Sequence, residues 1–76
     1  MSEANEHPNE RELFAANLRA ARKKRGISQE QLGHDCGLHP TAIARLETAN
    51  RDPRLATIAR IARTLKIPAS DLVKGI

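Results

Sequence analysis

A chain of 76 residues, 39% hydrophobic and 29% charged, has room for one compact domain and none for a catalytic domain joined to a second. Phe14, the sole aromatic, implies an aliphatic core and no platform for stacking single-stranded bases; the lone Cys36 excludes an internal disulfide and points to a reducing, cytoplasmic setting. Thirteen Lys and Arg stand against nine Asp and Glu, and because Glu3, Glu6 and Glu10 fall in the first ten residues, the rest of the chain carries a surplus of seven cations suited to a polyanionic partner.

Residues 1–9 are polar and acidic, contain Pro8 and lack apolar periodicity, so a mobile tail is expected ahead of a domain over 10–76. Asn9 with Glu12 reads as the capped start of a helix over about Glu10 to Arg25. Leu13, Phe14, Leu18 and Ala21 recur at helical spacing along it. The run Arg22, Lys23, Lys24, Arg25 places cations where the helix dipole favours them, and Gly26 ends the helix. Ser28 with Gln31 is a second capping box, opening a short helix with Leu32, Gly33 and Cys36 inward and Gly37 at its end.

His39-Pro40-Thr41 opens a third helix with proline at its first turn, where the missing N–H costs nothing; Ile43 and Leu46 form its buried side. The polar loop Asn50 to Pro53 follows. A fourth amphipathic helix carries Leu55, Ile58, Ala59, Ile61, Ala62 and Leu65, and a short fifth holds Leu72 and Val73. No segment alternates with period two, and no apolar run exceeds four residues, so the expectation is all-α with five helices, without a membrane span or signal peptide.

The segment Ser28 to Glu47 is a helix-turn-helix pattern: two short helices around a tight Gly37-Leu38 corner. A small residue at Gly33 lets the helices approach, and the third helix can then project into the major groove of duplex DNA. The string Gly26-Ile27-Ser28-Gln29-Glu30-Gln31-Leu32, followed by Gly37-Leu38, Ile43, Arg45-Leu46-Glu47, Arg51, Pro53 and Leu55, resembles the Cro and lambda-repressor-like (XRE) helix-turn-helix family over roughly Phe14 to Val73. It looks most like compact stand-alone repressors or restriction-modification controller proteins. The resemblance implies a five-helix lambda-repressor-like DNA-binding domain that regulates transcription. Two positions depart from the usual pattern. Gly33 replaces a common alanine, and Pro40 replaces a common long polar base reader.

The resemblance also implies roles. Ser28, Gln29 and the start of the second helix grip a phosphate. Thr41 and Arg45 read base edges, Arg45 alternatively clamping a phosphate, while Pro40 and Ala44 offer only apolar contact, so discrimination leans on DNA shape. His39 is either a helix cap or a phosphate contact, and Arg51 and Arg54 meet the backbone. Arg22 and Glu47 form a structural ion pair that orients Arg45. Ile61, Leu65, Ile67, Leu72, Val73 and Ile76 exceed what five short helices need inside, and the expectation is a homodimer pairing through this end on a palindromic operator.

His34, Cys36 and His39 are crowded, but no fourth ligand stands at zinc spacing, and no catalytic triad or phosphate-cradling loop occurs. No metal, cofactor, small-molecule ligand or enzymatic activity is expected. The rival reading is an antitoxin-type interaction module that neutralises a partner and binds DNA secondarily; an exposed apolar groove away from the dimer face would favour it.

Overall fold

The computed structural model describes residues 9–76; the expected tail lies outside them except for Asn9, which caps the first helix. Five helices follow: α1 (Glu10–Arg25), α2 (Gln29–Cys36), α3 (Pro40–Glu47), α4 (Leu55–Leu65) and α5 (Ala69–Leu72), with no strand among the described residues. None is long and apolar enough to cross a membrane.

Local chemistry sets the boundaries. At α1 the Asn9 side chain accepts from the Glu12 amide at 2.9 Å and Glu12 reaches back to the Asn9 amide at 3.3 Å. That reciprocal pair is the expected capping box. At α2 only half of it forms: Ser28 Oγ accepts from the Gln31 amide at 3.0 Å, but the Gln31 side chain donates to Asp35 Oδ1 at 2.7 Å, one turn on along its own helix.

Phe14 and Leu18 from α1, Leu32 from α2, Ile43 and Leu46 from α3, Ile61 from α4 and Leu72 from α5 are essentially sealed from solvent. Each such side chain stabilises the fold by about 2 kcal/mol. Two expectations are corrected here. Leu55 is 83% exposed, because the buried stripe of α4 comprises Ile61, Ala62 and Leu65, with Ile58 packed at its edge, and starts a turn later. Ile61, Leu65 and Leu72, expected at the dimer face, are core residues at 0%, 2% and 0% exposure. A core with one aromatic needs every one of these aliphatics, and Ile67 packs against it half-buried. Val73 and Ile76, at 37% and 55%, remain on the surface of that end.

The α2–α3 corner rests on two glycines for different reasons. Gly37 takes φ +75°, the left-handed conformation that closes α2. Gly33 is held by space: a Cβ there would stand 2.7 Å from the Leu38 carbonyl oxygen and 3.3 Å from the Pro40 nitrogen. Both are backbone atoms, so alanine, common at this position in the family resembled, would force the turn to move. Gly33→Ala is expected to lose about 1–2 kcal/mol net, overpacking outweighing the gain in helix propensity. A thermal melt lower by roughly 5–10 °C is the check, and an unchanged melt would show that the corner yields freely.

Candidate nucleic-acid interface

The outer face of α3 follows from its inner one. Ile43, Leu46 and Glu47 are buried, which turns Thr41, Arg45 and Thr48 outward along one side, flanked by half-buried Ala42 and Ala44. Thr41 and Arg45 are four residues apart and therefore neighbours on the surface. His39 is the N-cap: its Nδ1 accepts from the Thr41 amide at 3.1 Å. Of its two expected roles the cap is realised, and because Nδ1 must be unprotonated to accept, the ring carries its proton on Nε2. Pro40, half-buried, occupies the first helical turn.

Beyond α3 the chain is tied back at once. The Asn50 amide donates to the Arg45 carbonyl at 2.9 Å, Asn50 Nδ2 donates to Thr48 Oγ1 at 2.9 Å, and Arg11 pairs with Asp52 at 3.1 Å. The loop therefore holds Arg51 and Arg54 exposed beside α3. Among the described residues neither these two nor Arg45 is paired with a carboxylate. At the start of α2, Ser28 Oγ accepts the cap hydrogen bond and keeps its O–H to donate, while the first-turn amides of Gln29 and Glu30 have no acceptor within the helix. Such amides at the positive end of a helix dipole suit an anion.

Behind this face lies a buried carboxylate. Arg22 grips Glu47 with a two-pronged contact, Nε to Oε2 at 2.5 Å and Nη2 to Oε1 at 3.0 Å, and its third nitrogen donates to the Ile27 carbonyl at 2.8 Å. Gln29 Nε2 donates to Glu47 Oε1 at 3.0 Å, and Arg19 donates to the Glu47 carbonyl at 2.8 Å. Burial pushes the Glu47 carboxyl up, but the hydrogen bonds from Arg22 and Gln29 and the charges of Arg22 and Arg19 outweigh it and hold the group below the usual carboxylate value. The same contact raises Arg22. One side chain at the end of α3 thus joins α1, α2 and α3.

The expected Arg22–Glu47 pair is present, and Thr41, Arg45, Arg51 and Arg54 share the accessible surface. Gln29 differs from expectation. Its side-chain amide is turned inward to Glu47, leaving anion contact at that point to the backbone. The Gln29 and Arg19 contacts span 18 and 28 residues and have no local signature in the sequence; only the pairing of a buried Glu47 with donors from other helices could have revealed them.

A family model described as helix-turn-helix matches residues 18–72. The chain is 38% identical to the HTH-type transcriptional repressor RghR of Bacillus subtilis over 82% of its own length, spanning about half (47%) of that protein. It is 36% identical to control protein C.BamHI of Bacillus amyloliquefaciens, covering 86% of this chain and 82% of that one. Its fold superposes with a TM-score of 0.81 on the restriction-modification controller protein C.AhdI of Aeromonas hydrophila, at 30% identity over 83% of this chain and 91% of the other.

Proposed function

Since the chain belongs to the XRE-type helix-turn-helix family of transcriptional regulators, we propose that it binds duplex DNA as a homodimer on a palindromic operator, with α3 in the major groove. Thr41 and Arg45 read base edges, with Pro40 and Ala44 in close apolar approach. Ser28, His39, Arg51, Arg54 and the first-turn amides of α2 meet phosphates. The repressor and control-protein names of its relatives favour this reading over an antitoxin-type module. The proposal includes a cytoplasmic setting and no catalytic role.

The observation that carries the reading is the exposed Thr41–Arg45 pair on a helix whose opposite face is locked to the core through Glu47. A dimer pairing through the exposed Val73 and Ile76 would set two such helices about 34 Å apart, one turn of DNA. His39 supports both of its roles at once, since the ring that caps α3 through Nδ1 keeps an Nε2–H free to donate to a phosphate oxygen.

Selection from random duplexes followed by footprinting tests the proposal, with the expected product a two-fold symmetric site and sedimentation giving a dimer at micromolar concentration. No uptake of any duplex at low ionic strength, or a monomer both with and without the selected site, would overturn it. Within the interface, Arg51→Ala is expected to weaken all duplexes alike and to lower the slope of log affinity against log salt by about one. Weakening confined to the selected site would instead assign Arg51 to base reading.

A further inference from the structure

The flank of α1 turned away from α3 carries a groove of about 530 Å³ between α1, the end of α4 and α5. Its position follows from the helix period. Asn17 and Lys24, which line it, stand two residues from Arg19 and from Arg22 respectively, the donors to Glu47, and positions two apart point to roughly opposite sides of a helix. The lining has an apolar part and a charged part. Ala20, Ala21 and Ile67 supply hydrocarbon above the nearly sealed Leu65. Lys24, Arg25 and Lys74 surround it with cations, against the single carboxylate of Asp71.

The polar groups here are already partly committed, which holds the groove in shape. Asn17 Nδ2 donates to the Leu72 and Lys74 carbonyls at 3.0 and 2.9 Å, fixing α5 on α1, and its Oδ1 has no donor among the described residues. Arg25 donates one N–H to the Leu65 carbonyl at 3.2 Å and keeps the others. Neither Lys24 nor Lys74 has a carboxylate partner among the described residues.

We propose that this groove docks a protein partner through a short acidic segment bearing apolar side chains, which enter between Ala20, Ala21 and Ile67 while their flanking carboxylates meet Lys24, Arg25 and Lys74. Among the described residues a second copy offers no such segment: its large exposed apolar side chains, Leu55, Val73 and Ile76, lie beside Arg54 and Lys74, so they would bring cations to a cationic rim. A phosphate backbone would satisfy the rim but leave the hydrocarbon floor unused. Because the groove and the outer face of α3 lie on different sides of the molecule, the segment and DNA can be held together, which gives the regulator a contact for another protein while it occupies its site. The inference stands on the groove itself and its test is read without DNA first.

A fluorescent peptide with two leucines four positions apart among glutamates is titrated against the full chain, beside a counterpart with serines for leucines. The leucine peptide is expected to bind roughly tenfold more tightly than the serine one, as apolar burial adds to charge. Lys24→Glu and Lys74→Glu, both exposed positions, are each expected to weaken it about fivefold with the circular dichroism spectrum unchanged. Equal binding of the two peptides, or no binding, overturns the proposal. So does displacement of the peptide by a short duplex, or a parallel loss of duplex and peptide in both variants, which would assign the groove to nucleic acid.

Discussion

Arg22→Ala is expected to lose about 3–5 kcal/mol, since it leaves the buried Glu47 carboxylate with Gln29 as its one side-chain hydrogen-bond donor among the described residues and leaves the Ile27 carbonyl without its donor. A domain of this size has roughly 5 kcal/mol in total, so most of the variant's stability disappears and its melting temperature falls by roughly 15–25 °C. Arg22→Lys keeps a charge but not the planar fork, and is expected to recover only part of the loss. The same carboxylate gives the acid limb. Because Glu47 titrates lower in the folded chain than in the unfolded one, its contribution is complete above the ordinary carboxyl range, near 4.5, and is lost as pH falls through the folded value. Glu47→Gln should therefore flatten the decline of stability below about pH 5. Melts followed by circular dichroism between neutral pH and pH 3 provide the check; an Arg22→Ala melt within a few degrees of the parent would refute the account.

Arg45→Ala is expected to cut affinity for a selected operator by roughly ten- to a hundredfold, the worth of one bidentate contact to guanine, with a much smaller effect on mixed-sequence duplex. Losing the discriminating side chain removes preference at one position per half-site. Repeating the duplex selection with the variant should therefore return sites degenerate at that position and unaltered elsewhere. Equal weakening on every duplex, with the salt slope reduced by about one, would show instead that Arg45 holds a phosphate. Thr41 in the first turn of α3 and Arg45 in its last are the exposed polar side chains within the helix, between the capping residues His39 and Thr48.

What the sequence makes legible is what is decided within about four residues. Asn9 and Glu12, Ser28, Gly37 and Pro40 act close by in the chain, and the start of α1, both ends of α2 and the start of α3 fall where these signals place them. The Arg22–Glu47 pair was accessible through family resemblance, not through spacing. Contacts that depend on which faces meet were not legible. Gln29 at a helix start looks free for a phosphate until α3 brings Glu47 beside it. Leu55 fits the apolar stripe of α4 by period, yet lies beyond the reach of the core. Ile61, Leu65 and Leu72 looked surplus because the demand of an interior almost without aromatics is set by all five helices together. The groove beside α1 has the same origin: Lys24 and Lys74 are 50 residues apart and meet only through the clamp of Asn17 on α5.

The alanine-rich exterior of α3 has a thermodynamic consequence. Pro40, Ala42 and Ala44 have no side-chain torsions to freeze, and the Glu47 contacts immobilise Arg22 and Gln29 when the chain folds, so within α3 docking would restrict few side chains beyond Thr41 and Arg45. A reader built this way surrenders little rotational freedom on arrival, and its discrimination then depends on how readily each candidate duplex bends and narrows to meet a nearly rigid surface.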